Sequence, residues 1–125
     1  MNQEKFSLRK RIKSFGYAFS GIATLLKEEH NARIHAVATV CVIVAGIYFK
    51  VSVTEWIALV FAIGLVFALE AVNTAIEALA DFASPEQHPL IKKAKDVAAA
   101  AVLIGAFAAA AVGLFIFLPK VIEAL

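Results

Sequence analysis

Cysteine, methionine and tryptophan each occur once in this chain, and proline three times. A lone cysteine, Cys41, excludes an intramolecular disulfide framework, and its apolar surroundings predict a small buried hydrophobe. No Cys/His spacing suits zinc. Neither a G-x-x-x-x-G-K-[ST] loop nor a glycine-rich kinase loop is present, so the nucleotide sites of soluble NTPases and protein kinases are absent. The polar, basic start lacks an early apolar core, which argues against a cleavable signal peptide. A net charge of +2 is too small to argue for nucleic acid as a partner.

What fills the space is apolar: 62% of the 125 residues are hydrophobic and the mean hydropathy is +0.83. Ordinary soluble domains are about 45–50% apolar. A chain this short cannot hide the excess in a water-facing core, so lipid must cover much of it, and a single membrane domain, 1–125, is the simplest organisation. Residues 97–119 form an uncharged run of 23, long enough to cross the roughly 30 Å hydrocarbon core as a helix. Its alanines and glycines predict close approach to neighbouring helices. Two shorter runs, 36–49 and 56–69, become spans once their flanks are added. The predicted fold is all-α, with spans at about 34–50, 54–82 (its last turns amphipathic) and 97–118. Residues 51–54 form the turn between the first two spans, and Pro119 ends the last.

Ahead of the spans, Leu8, Ile12, Phe15, Phe19, Ile22 and Leu26 recur at spacings of four and three, one stripe of a helix over about 6–28. Basic residues crowd its first half, which predicts a helix lying in the membrane interface. Ten of the 12 Lys and Arg residues fall before the first span or between the second and third. That asymmetry places the N-terminus and the second loop in the cytoplasm.

Glu70, Asn73 and Glu77 follow the uncharged run 56–69 without a break and share one helix face, to which Asp81 returns. Carboxylates at the edge of a span are costly and mark candidate functional sites. Oxygen ligands are also what hard cations such as Mg²⁺ require. Other polar groups on the cytoplasmic side can join the stripe: Glu28 to Arg33, Ser84 to Pro89, and Lys95-Asp96. Carboxylates for a metal, a lysine for phosphate and a base for a hydroxyl suit phosphoryl transfer. Glu77 and Asp81 equally suit a solvated face, and the histidines plain interfacial positions. A small transporter, using Glu70 to carry protons, is the alternative from another class.

The string Glu70-Ala71-Val72-Asn73-Thr74-Ala75-Ile76-Glu77, with Asp81 and the later Ala94-Lys95-Asp96, resembles the prokaryotic diacylglycerol kinase family, which includes undecaprenol kinases. Gly16-Tyr17 and the Glu29 to Arg33 region fit as well, so the resemblance covers nearly the whole chain. It implies a homotrimer in the bacterial inner membrane that phosphorylates diacylglycerol or undecaprenol with ATP and Mg²⁺. It implies Glu70 as the base with Asn73 in support, and Glu29 and Glu77 as metal ligands. ATP would meet Lys10, Tyr17, Glu29, Glu77, Glu86, Gln87, His88, Lys95 and Asp96. The lipid would meet Lys10, Asn31, Arg33, His35 and Glu70. The stretch Glu28 to His35 and the pair His88-Pro89 look like the undecaprenol-kinase branch.

Overall fold

In the computed structural model, which describes residues 5–125, the chain is four helices in sequence: α1 Leu8–Glu28, α2 His30–Tyr48, α3 Val53–Ala83 and α4 Pro89–Ala124. Three of them, α2 to α4, are long and apolar enough to cross a membrane.

Ser7 caps α1, its Oγ accepting from the Lys10 amide at 3.4 Å. Glu29 alone separates α1 from α2; it is extended at φ −107° and ψ 116°. The last carbonyls of α1 would otherwise lack donors. Arg33 reaches back from α2 to supply them, Nε donating to the Leu26 carbonyl at 2.8 Å and Nη2 to that of Lys27. The helix of the first span therefore begins at His30, several residues before the expected 34.

The turn into α3 also differs from expectation, lying at 49–52 rather than 51–54. Lys50 takes the left-handed conformation at φ 52°. The Val51 amide donates to the Gly46 carbonyl at 3.1 Å and that of Lys50 to Ile47 at 3.3 Å. This pair of bonds is a Schellman closure with lysine where glycine is usual. Ser52 then caps α3 in a reciprocal box: its Oγ accepts from the Glu55 amide at 3.1 Å, and Glu55 Oε1 accepts from the Ser52 amide at 2.9 Å. A Cβ on Gly46 would stand 2.5 Å from the Trp56 ring, so only glycine lets α2 turn this close to the indole.

α3 and α4 are each unbroken, 31 and 36 residues long. At 1.5 Å per residue they extend about 46 and 54 Å, well beyond a hydrocarbon core of roughly 30 Å. They pack mainly on each other. Close approach is helped at Gly105, where a Cβ would sit 2.5 Å from Leu69 Cδ1.

Both ends of α4 correct the sequence reading. His88 caps the helix with Pro89 in its first turn, so Lys92, Lys93 and Lys95 lie on α4, not in a loop. At the other end Pro119 sits inside the helix. Proline removes one backbone bond there, but the following turn is held: Lys120 Nζ lies 2.6 Å from Glu55 Oε2, and Ile116 is buried with Val51 and Leu59.

The accessible surface is 9732 Å². A folded water-soluble monomer of this mass exposes about 6,500 Å². The excess is apolar and runs along the helices, as with Val37, Val40, Val44 and Ile47 on α2 and Phe61 on α3. Cys41, expected to be buried, is exposed on α2.

Candidate active site

Glu70 is 1% exposed, the one buried charged residue among those described. The local sequence explains its place: it follows the apolar turns of α3 without interruption, so its helix carries it inside. Its Oε1 lies 3.3 Å from Nε2 of His35 on α2. The His35 ring meets Phe67, one turn before Glu70, edge to face with centroids 6.5 Å apart. Oε1 makes no well-aligned hydrogen bond.

One turn further, Asn73 Nδ2 donates to Glu77 Oε1 at 3.3 Å. Asn73 Oδ1 and Thr74 Oγ1 are buried without a hydrogen bond, and Glu70 Oε1 has only the poorly aligned His35 contact. A buried polar group left unsatisfied costs about 1–3 kcal/mol, and more when charged. Three such oxygens on adjacent turns are destabilising unless a ligand completes them. Thr74 escaped the sequence reading; its position four residues after Glu70 was the available signal.

Three hollows surround this face. A cleft of about 240 Å³ lies at the α3–α4 turn, lined among others by Asp81, Glu86, Gln87, Lys92, Lys95 and Asp96. Lys95 Nζ bridges to Asp81 Oδ1 at 2.8 Å, and Lys92 to Asp96 at 2.6 Å. Both pairs are exposed and screened by solvent, so an incoming anion displaces them at small cost. His88, expected with ATP, uses Nδ1 to accept from the Leu90 amide at 3.1 Å as the α4 cap.

A second hollow, about 570 Å³, lies between α1 and α3 and is lined by Tyr17, Ser20, Thr24, Glu28 and Thr74 among others. The third, about 500 Å³, is almost wholly apolar, with Leu25, Leu26, Ala36, Phe67 and Ala71 in its walls. Phe67, Ala71 and Ala36 place this apolar hollow on the helix turns that carry Glu70 and His35.

The expected residues thus fall into groups. Glu70 and His35 meet; Asn73 and Glu77 meet; Glu86, Gln87, Lys95 and Asp96 share the cleft; Tyr17 faces α3 across the second hollow. Arg33 is engaged with α1 carbonyls, and Glu29 and Asn31 sit at the α1–α2 joint. Among the described residues no three His, Cys, Asp or Glu side chains converge as a metal site. The donors that fit a hard cation are the Glu77 carboxylate and the unpaired Asn73 oxygen beside it. Mg²⁺ takes one or two carboxylates plus phosphate oxygens, so a complete protein cage is not required.

The sequence itself is similar to those of known proteins. The model of the prokaryotic diacylglycerol kinase family matches residues 16–117. The chain belongs to that family. It is 42% identical over 113 residues to the undecaprenol kinase of Bacillus subtilis, covering 90% of this chain and 92% of that one. It is 37% identical over 111 residues to the diacylglycerol kinase of a Synechocystis strain, covering 88% of this chain and 63% of that one. Against the diacylglycerol kinase of Escherichia coli K12 the figure is 34% over 93 residues, covering 74% of this chain and 76% of that one. The expectation of a lipid kinase stands on this membership, and the transporter alternative finds no support in it.

Proposed function

We propose that the whole chain, 1–125, is one membrane domain that transfers the γ-phosphate of ATP to a lipid alcohol at the cytoplasmic face of the bacterial inner membrane. The observation that carries this is the buried Glu70, set where an apolar hollow adjoins the polar face of α3. Its carboxylate accepts the proton of the lipid hydroxyl as that oxygen attacks phosphorus. The hydrocarbon tail stays among the helices. Lys95 leaves Asp81 to meet the phosphates, with Lys92 and Asp96 beside it. Asn73 orients Glu77. Glu77 and Glu29 would hold magnesium, whose chemistry there would be charge neutralisation during transfer.

A cleft of about 240 Å³ holds a phosphate chain, not a whole nucleotide. Ligand sites ordinarily occupy about 300–1,000 Å³. The remaining walls would come from Tyr17 and Glu86 to His88 and from further copies of the chain. Those copies would form a homotrimer in lipid, with α1 on the membrane surface, as the family resemblance implies. There Lys10, Asn31, Arg33 and His35 would contact the acceptor. The test is transfer of labelled phosphate from ATP into organic-extractable lipid, with diacylglycerol and undecaprenol run side by side. Label in neither extract above the protein-free background overturns the reading.

A further inference from the structure

Glu70, acting as the base, would hold a proton at the end of each transfer. Its side chain is 2% exposed, so that proton has no direct path to water. His35 Nε2 lies 3.3 Å away, and the His35 side chain is 24% exposed. The ionisable group facing the imidazole is Glu70, from α3. On its own helix, Arg33 is turned back onto α1 carbonyls. The neighbouring hollow presents Ile22, Leu25 and Leu26 from α1, none of them titratable. Phe67 meets the ring edge to face.

We infer that His35 receives the proton that Glu70 takes from the lipid hydroxyl and releases it to water, a role distinct from contacting the lipid and one that rests on the lipid-kinase reading. The balance is complete without a further reactant. The hydroxyl O–H bond breaks, the new O–P bond forms, and the γ-phosphorus leaves the bridging oxygen with its electron pair on ADP. The proton on Glu70 then moves to Nε2 of the neutral imidazole. The imidazolium passes its Nδ1 proton to water from a side chain that is 24% exposed, and tautomerisation of the neutral ring through water returns the proton from Nε2 to Nδ1, so that Nε2 can accept again. The missing alignment at Glu70 Oε1 fits a contact that tightens when the carboxyl becomes a donor.

The experiment measures kcat and KM for undecaprenol, for diacylglycerol and for MgATP on the full chain in mixed micelles. His35→Gln preserves size and a donor but cannot relay. It should lower kcat about 10- to 100-fold for either lipid, with the KM for MgATP within about twofold. His35→Ala should fall as far and recover at least severalfold when imidazole is added. His35→Gln with wild-type kcat, or a rise in lipid KM alone, overturns the relay. His35→Ala that imidazole leaves unchanged, while melting like the wild type, does the same. A Glu70→Gln variant separates the two levels. If it keeps full turnover, the base assignment fails and the relay with it; if it is inactive while His35→Gln is normal, only the relay fails.

Discussion

The two ends of α3 are built from similar residues to opposite purposes. At Ser52 and Glu55 every polar group named above has a partner: a reciprocal cap, an ion pair to Lys120, and a small core of Val51, Leu59 and Ile116 beneath them. At Glu70 to Asp81 the buried oxygens of Asn73 and Thr74 have no hydrogen bond, that of Glu70 has only the poorly aligned His35 contact, and the ion pairs are exposed and easily parted. A carboxylate with its partners in place holds the fold; one left short of them is free for chemistry. Departures from local satisfaction are where function is expected.

Substitutions at the two ends should therefore separate turnover from stability. Glu70→Gln should lower kcat about 10²- to 10⁴-fold, the span of general base catalysis. Its thermal midpoint in micelles should hold or rise, since a neutral amide removes a buried charge; normal turnover would erase the contrast. Glu77→Gln should raise the Mg²⁺ concentration for half-maximal rate about tenfold, because one charged oxygen donor is lost from a small set. An unchanged metal titration removes Glu77 from the site. Ser52→Ala, at the other end, should cost about 1 kcal/mol of stability with kcat unaltered. A loss of activity without a fall in melting temperature would show that the ends are not separable. The smallest effect belongs to Lys50→Gly, expected to stabilise by up to about 1 kcal/mol by relieving the left-handed conformation.

The helical framework behind this contrast is legible in the sequence. The helix-face spacing of Glu70, Asn73 and Glu77 and the long uncharged runs gave four helices, three able to span, because helical periodicity is local information. Boundaries were less legible. Pro119 looked like an end, yet α4 passes through it because Glu55, 65 residues earlier, anchors Lys120. The Ser52 cap was legible in principle, since Ser-x-x-Glu before an apolar run is a helix-start signature. The pairing of His35 with Glu70, and of Lys95 with Asp81, was not: each joins separate helices, and spacing says nothing about which neighbours meet.

The joint at Glu29 has a mechanical consequence. With one residue between α1 and α2, only two torsions set the angle at which α1 lies over the two hollows beside α3. Those torsions also aim the Glu29 carboxylate. Swinging the cover and pointing the proposed ligand are therefore coupled through the same two backbone torsions, so a movement of α1 over the hollows also re-aims that carboxylate.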